Sequence, residues 1–153
     1  MLQRMRHHNY IWIAIIALSI IGGFILLKSA YANPYNLPDY AFTNPKIKEA
    51  YIFAKFNMDK LDGLPCNCGC MEDAGHAGRL HSRGLIDCFM NGDINNKGEW
   101  DSHASGCGMC YGDTLQAKEL YEEGKTKEEI KTILIEKYSK QTISNMTVWD
   151  SHD

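Results

Sequence analysis

The stretch PCNCGC at residues 65–70 places three cysteines at alternate positions of this 153-residue chain. A disulfide needs a defined Cα separation and a torsion near a right angle, so neighbouring cysteines in such a run pair poorly with one another. Alternate residues of an extended segment point to the same side, which lets all three sulfurs face one ion, and Gly69 permits the chain to curve around it. Because thiolates select Cu(I), Zn(II) or the iron of iron–sulfur clusters, the stretch predicts a metal-binding segment.

The remaining cysteines are Cys88 and the pair in Cys107-Gly-Met-Cys110, and three histidines lie among them. The C-x-x-C spacing serves metal binding and thiol–disulfide exchange alike, and a position near a helix start stabilises thiolates. His103 lies one helical turn before the pair, and His81 lies two turns before Cys88. A capping role for His103 and a packing role for His81 are the alternatives. We expect His76, in a glycine-rich loop, not to bind. The predicted metal ligands are Cys66, Cys68, Cys70, Cys88, Cys107, Cys110, His103 and His81.

The number of thiols bears on the identity of the ion. Six thiols exceed the four ligands of a tetrahedral zinc site, so Cu(I) is favoured and Zn(II) is the alternative. A polynuclear Cu(I) site or two separate sites would use all of them. Met71, Met90 and Met109 could add thioether ligands, but methionines also fill irregular cores, and we favour that role. Two other states stay open for the cysteines, namely three disulfides and a redox-active mixture.

An uncharged, apolar stretch occupies Tyr10 to Leu27, and about 20 apolar residues span the hydrocarbon core of a bilayer. Arg4 and Arg6 precede it, which predicts a single-pass membrane protein with a cytoplasmic N-terminus and an extracytoplasmic C-terminal domain. Residues 30–32 (Ala-Tyr-Ala) match a signal-peptidase pattern, so cleavage after Ala32 and secretion is the alternative. The stretch is longer than the ~7–15 residues of a signal-peptide core, which favours a retained anchor.

The chain divides into five predicted segments. These are a cytoplasmic N-terminus at 1–9, a transmembrane helix or uncleaved signal anchor at 10–29, a linker at 30–44, a cysteine-rich helical domain at 45–140 and a polar tail at 141–153. From residue 33 onward the chain carries 13 Lys and Arg against 19 Asp and Glu. This acidic balance argues against a nucleic-acid partner, since such binding requires a basic face.

Capping signals predict where helices begin and end. Asn44 and Pro45 fit an N-cap and a first helical position, with the helix ending near Asn57. Six glycines between Pro65 and Asp101 make long regular elements there improbable, although residues 81–90 could form a short buried helix. A further helix is expected from about Asp113 to Gly124. The sequence Thr126-x-x-Glu129 is a capping box that opens a last helix. The predicted fold is mostly α, a small three- to four-helix domain with a cysteine-rich loop across its helices.

Several motifs together resemble the PCYCGC-motif family of exported, often lipid-anchored microbial proteins. They are Pro65 to Cys70, Asp87-Cys88-Phe89, Asp101-Ser-His103 and Cys107-x-x-Cys110. The resemblance covers residues 45–140 and includes the two closing helices. The chain departs from it in having Asn67 where the family name has Tyr, and an apolar helix in place of a lipid anchor. The family has no established activity. Residues 107–138 also resemble the thiol reductases of cytochrome c maturation, which implies redox chemistry at Cys107 and Cys110.

These patterns give one favoured function and two alternatives. We expect membrane-anchored handling of Cu(I), by delivery, buffering or detoxification, with a copper-accepting protein as partner. The first alternative is a thiol–disulfide oxidoreductase that uses Cys107 and Cys110. The second is an accessory subunit of a membrane oxidase-type complex, with structural zinc or disulfides. No Ser–His–Asp order, phosphate-binding glycine loop or paired-carboxylate signature is present, so no catalytic residue is predicted and a non-enzymatic role is favoured.

Overall fold

The structure is a computed structural model that describes residues 2–73 and 77–149. It divides into two compact units, Met1–Asn36 and Leu37–Asp153. His76 lies outside the described residues, so its expected exclusion from the ligand set stays a prediction.

The first unit is a single long helix, α1 (Leu2–Ala32). Its window Ile11–Lys28 has a mean hydropathy of 2.4, and none of this window is buried. By length and composition this helix can serve as a membrane span or as a signal sequence. The predicted apolar N-terminal helix is therefore confirmed.

The second unit is mostly helical, as the sequence predicts. Its longer helices are α2 (Pro45–Phe56), α5 (Gly108–Glu122) and α6 (Lys127–Trp149). Two one-turn helices, α3 (Met58–Leu61) and α4 (His103–Gly106), and two 3₁₀ helices, Asp39–Phe42 and Gly84–Cys88, fill the connections. The strands β1 (Met90–Asn91) and β2 (Glu99–Trp100) pair antiparallel, with Met90 opposite Trp100.

Helix α2 begins and ends as its capping residues predict. The side chain of Asn44 accepts a hydrogen bond of 2.8 Å from the backbone N–H of Lys46, Pro45 occupies the first helical turn, and Asn57 is the C-cap. The buried face, which packs mainly against α5, consists of Ile47, Ala50, Tyr51 and Ala54.

Helix α5 begins five residues earlier than the sequence suggests. Cys107 is its N-cap and has an extended backbone (φ −111°, ψ 105°), so the residues up to Cys110 form the first turn. The helix ends where predicted, because the N–H groups of Gly124 and Lys125 donate to the carbonyls of Tyr121 and Leu120. This pair of bonds is a Schellman motif.

The predicted capping box joins α5 to α6. The backbone N–H of Thr126 donates to Glu129 Oε2 (2.8 Å), and the N–H of Glu129 donates to Thr126 Oγ1 (3.3 Å). Helix α6 then buries Ile130 and Leu134 and continues to Trp149, into the segment expected to form a polar tail.

A close backbone contact fixes the cysteine run beside the 3₁₀ helix Gly84–Cys88. The N–H of Leu85 donates to the carbonyl of Leu64 (2.9 Å), and the N–H of His81 donates to the carbonyl of Cys70 (2.9 Å). Gly84 has φ +75°, and a Cβ there would collide with the carbonyl oxygen of Leu64. Only glycine therefore allows this approach.

Tyr51 connects helix α2 to the cysteine-rich segment. Its side chain is fully buried, and its hydroxyl donates a 2.6 Å hydrogen bond to the carbonyl of Asp101. Its ring meets those of Phe89 and Trp100 edge to face, with centroids 4.9 and 5.8 Å away. Such pairs contribute beyond their buried area. Tyr51 thereby fixes the residues next to Cys88 and His103.

Candidate metal centre

Three chain segments bring the cysteines together. The run at residues 66–70 forms consecutive turns rather than the extended segment assumed from its alternation, and Gly69 takes φ +89° there. Cys88 ends the 3₁₀ helix, and Cys110 lies in the first turn of α5. The sulfurs converge because the chain curls around them, not because alternate residues share one face of a strand.

The Sγ atoms are in contact but are not bonded to one another. Cys66 Sγ lies 3.0 Å from Cys68 Sγ, 3.1 Å from Cys88 Sγ and 3.9 Å from Cys110 Sγ. Cys68 Sγ lies 2.9 Å from Cys70 Sγ and 3.6 Å from Cys110 Sγ. A disulfide bond is about 2.05 Å long, and none of the six cysteines forms one.

The two predicted histidines also reach this cluster. His103 Nε2 lies 3.2 Å from Cys70 Sγ and 3.6 Å from Cys68 Sγ. His81 Nδ1 lies 3.4 Å from Cys88 Sγ. The two imidazole rings meet edge to face, 5.1 Å apart. Both imidazoles therefore lie against the thiols of the cluster.

The second ring nitrogen of His81, Nε2, indicates whether these donor atoms suit a metal ion. The residue is fully buried, and its Nε2 has no hydrogen-bond partner among the described residues. A buried polar atom without a partner costs about 1–3 kcal/mol. Coordination of a cation by this ring would remove that cost, so the donor set fits a metal ion.

Every one of the eight predicted ligands belongs to at least one group whose donor atoms lie within 4.8 Å of one another. The groups are Cys66/Cys68/Cys88/Cys110, Cys68/His103/Cys107/Cys110, Cys66/Cys70/His81 and His81/Cys88/His103. Four sulfurs about 2.3 Å from a tetrahedral ion would be about 3.8 Å apart. Within the first group, the Sγ of Cys66 lies 3.0, 3.1 and 3.9 Å from those of Cys68, Cys88 and Cys110, so an ion would require only small shifts of the side chains.

Mutual hydrogen bonding divides the thiols into two kinds. The hydrogen bond with Cys110 holds the pKa of Cys66 far below its usual range, and that with Cys88 lowers the pKa of Cys68 to about 4. Burial raises the pKa of Cys70, while hydrogen bonds with the neighbouring thiols and burial raise that of Cys110. The cluster therefore favours the charged form at some of its thiols and opposes it at others. Full deprotonation would place six negative charges in a largely buried volume, which a bound cation would neutralise.

The same cluster acts on His103. Burial opposes the charged imidazole, but the hydrogen bond and the negative charge of Cys68 outweigh it and raise the pKa of His103. The thiolates therefore favour a positive charge at this position, which is the charge that a metal ion would supply.

A network of ion pairs between arginines and aspartates connects the segment that carries Cys88 to the segment that carries His103. Asp87 is 2% exposed and forms ion pairs with Arg83 (2.6 Å) and Arg79 (3.7 Å). Arg79 also pairs with Asp101 (2.9 Å), whose Oδ1 accepts a hydrogen bond from the backbone N–H of His103. The sequence reasoning quoted both aspartates only as motif positions. Their pairing with arginines depends on loop geometry that no local pattern encodes.

A cavity of about 960 Å³ opens beside the cluster. Cys68, His103 and Cys107 line it, together with Met109, which is 39% exposed. Met90 is buried, as a packing role predicts, whereas Met71 is partly exposed and its Sδ accepts a hydrogen bond from the N–H of Cys66.

Comparison with known families places this geometry in context. Residues 27–152 match the family described as "Protein of unknown function with PCYCGC motif". The chain belongs to this family. No curated protein and no solved structure shows significant similarity to it. For this PCYCGC protein, function therefore has to be argued from the site.

Asn67 occupies the position where the name of the family motif has Tyr, and its side chain joins the cysteine run to helix α5. Its Nδ2 donates to Asp113 Oδ2 (3.1 Å). Asp113 is fully buried in α5 and also accepts from Lys137 Nζ and Tyr138 Oη of α6, both at 2.8 Å. This carboxylate joins two helices to the middle of the PCYCGC run. Sequence reasoning missed it, although an aspartate on the same helical face as Cys110 and Ala117 was a usable signal.

Proposed function

We propose that this PCYCGC protein binds Cu(I) through its cysteine cluster and delivers, buffers or detoxifies copper outside the cytoplasm. One observation carries the proposal, namely that six thiols and two imidazoles lie in four overlapping groups with donor atoms within 4.8 Å. Soft sulfur donors select Cu(I), Zn(II) or the iron of iron–sulfur clusters. The sulfur count favours Cu(I) over Zn(II), since one tetrahedral zinc uses four ligands and leaves the rest without a task.

The N-terminal helix supports a location for this activity. Its apolar window, Ile11–Lys28, is long enough to cross a bilayer. Arg4 and Arg6 precede it, and the positive-inside rule then directs the cysteine cluster to the extracytoplasmic side. In this arrangement the partners are the membrane itself and a copper-accepting protein or membrane complex.

The test is to purify the full chain in detergent without oxygen and to measure bound metal per chain and free thiols before and after chelation. Two or more copper ions per chain, with thiols that become reactive only after chelation, support the proposal. One tightly held zinc would make the site structural. Sub-stoichiometric metal with no free thiols would overturn the proposal, because the cysteines would then be disulfide-bonded.

The position and pKa of Cys107 support a second candidate function, thiol–disulfide exchange. The hydrogen bond with Cys110 lowers the pKa of Cys107 to about 7, and its side chain is half-buried at the start of α5 while Cys110 is buried. A low-pKa, accessible thiol paired with a buried one suits thiol–disulfide exchange. The Cys107 thiolate would attack a substrate disulfide, and Cys110 would resolve the mixed disulfide, which leaves an oxidised pair and a reduced dithiol substrate.

The variant Cys107→Ser tests this alternative. Dithiol exchange by the wild type that is lost in Cys107→Ser would support it. Absence of exchange in the metal-free, fully reduced wild type would exclude it. The assay is independent of copper, so its result does not depend on the first experiment.

A further inference from the structure

The eight donors contain two overlapping tetrads that differ in access to solvent. The inner tetrad is Cys66, Cys68, Cys88 and Cys110, and the outer tetrad is Cys68, His103, Cys107 and Cys110. Cys66, Cys88 and Cys110 are at most 5% exposed. Cys68, His103 and Cys107 are half-buried. The two tetrads share Cys68 and Cys110, and a thiolate sulfur has enough lone pairs to bridge two ions.

The cavity is lined by three members of the outer tetrad but by only one member of the inner tetrad, the shared Cys68. Cys68, His103 and Cys107 line it, and among the described residues neither Cys66 nor Cys88 does. An ion in the outer tetrad would therefore face an open space of about 960 Å³. An ion in the inner tetrad would be enclosed by protein. The volume is ample for an incoming side chain, since ligand pockets measure about 300–1,000 Å³.

We propose that the cluster is a two-ion centre with two tasks, in which the inner tetrad retains a Cu(I) ion and the outer tetrad exchanges one through the cavity. Cys68 and Cys110 bridge the two ions. This inference rests on the proposed function, because it assigns the two positions of the same metal-binding site.

Transfer from the outer tetrad needs no electron transfer. A thiol of the acceptor enters the cavity and loses its proton as its sulfur bonds to copper. The bonds from copper to Cys107, His103, Cys68 and Cys110 then break in turn. The Cys107 thiolate takes up the proton that the acceptor thiol released, and Cys68 and Cys110 stay bound as thiolates to the inner ion. Copper remains Cu(I) throughout, so the exchange requires neither an oxidant nor a reductant. The ion of the inner tetrad is less accessible to an incoming thiol, because only the shared Cys68 lines the cavity and its other ligands, Cys66, Cys88 and Cys110, do not.

Release kinetics of the full chain test the inference. The protein is loaded with Cu(I) in detergent without oxygen, and a colorimetric Cu(I) chelator is added in excess. We expect two release phases of about equal amplitude whose rates differ at least tenfold. When the fast phase is complete, iodoacetamide should label Cys107 well before Cys66 and Cys88.

Two ions leaving in one phase, or equal labelling of the three cysteines, would overturn the inference but leave the proposed function intact. No binding of Cu(I) would overturn the proposed function itself.

Two variants assign the phases, and a third serves as control. Cys107→Ser should lose the fast phase and one copper equivalent, whereas Cys88→Ser should reduce the slow phase. Ser105→Ala changes another residue of the cavity wall and should retain both phases. A Cys107→Ser protein that keeps two phases would contradict the assignment. The alkylation of wild-type protein stands even if a variant fails to fold.

Discussion

The side-chain amide of Asn67 donates a hydrogen bond to the buried carboxylate of Asp113 across 46 residues of chain, with a length of 3.1 Å. Lys137 and Tyr138 complete the environment of that carboxylate from α6. One acidic group thus joins the last two helices to the segment that supplies three thiols. We therefore expect the organisation of the candidate metal centre to depend on this buried carboxylate as well as on the cysteines and histidines.

We therefore expect Asp113→Asn to loosen the cysteine run. The substitution keeps the shape but removes the charge that Lys137 compensates, and hydrogen bonds to charged groups contribute about 1.5–3 kcal/mol. Urea unfolding of the metal-free chain should show a loss of that order, together with weaker Cu(I) binding. Gln116→Ala is the matched control, since Gln116 Oε1 also accepts from Lys137 (3.0 Å) but is not buried. Equal effects of the two changes would contradict the role of Asp113.

His81→Leu should separate metal binding from folding. Removing the imidazole also removes the buried Nε2 that has no hydrogen-bond partner within the described part of the chain. The free energy of unfolding without metal should therefore fall by less than about 1 kcal/mol. The rise in melting temperature on loading with Cu(I) should shrink markedly. A large loss of stability without metal and an unchanged rise on loading would show that His81 only packs.

Gly84→Ala should separate the cysteine run from the 3₁₀ helix. The new Cβ would collide with the carbonyl oxygen of Leu64, and φ +75° is strained for alanine. The left-handed conformation alone costs about 1–2 kcal/mol, so we expect at least about 2 kcal/mol of destabilisation in urea unfolding. Gly112→Ala is the control, because it lies inside α5 with nothing within 4 Å of the new methyl group. That change should be neutral or stabilising. Equal losses would rule out the collision as the cause.

The capping box should contribute to the pH dependence of stability. Hydrogen bonds from the backbone N–H and the hydroxyl of Thr126 lower the pKa of Glu129. A pKa that is lower in the folded state means that the contribution is complete above the unfolded-state pKa, about 4.3. It is lost as the pH falls through the folded-state value.

Unfolding of wild type and Glu129→Gln should be compared between pH 6 and pH 3. We expect the difference in unfolding free energy between the two proteins to shrink as the pH falls, because protonated Glu129 resembles glutamine. Glu128→Gln is the control, since it alters the neighbouring exposed carboxylate outside the box. A difference that stays constant across this range would contradict the assignment.

Local signals carried most of the fold prediction. The Asn44–Pro45 start of α2, the hydrogen bonds at Gly124 and the box at Thr126 each depend on residues within one turn, so the sequence alone reveals them. The residue types also indicated which side chains would lie close together, because each of the eight predicted donors belongs to at least one close group. Their binding of a metal ion stays a prediction.

What the sequence did not reveal depends on contacts between distant segments. The ion pairs of Arg79 and Arg83 with Asp87, and the burial of Asp113, become visible only when the loop folds back on α5. The early start of α5 has the same origin. Glycine-rich sequence before Asp113 predicts a loop, but the docking of Cys110 against Cys66 outweighs that propensity.

The contact between Cys66 and Cys110 closes a loop of 44 residues. An ion bound by both would act as a reversible cross-link. Closing a loop of this length restricts the unfolded chain by about 4 kcal/mol in the chain-entropy treatment of cross-links. That is a large share of the 5–15 kcal/mol that stabilises an ordinary domain. Metal occupancy would then control resistance to proteolysis as well as ligand exchange, and a chain that gives up its last ion would become a substrate for degradation.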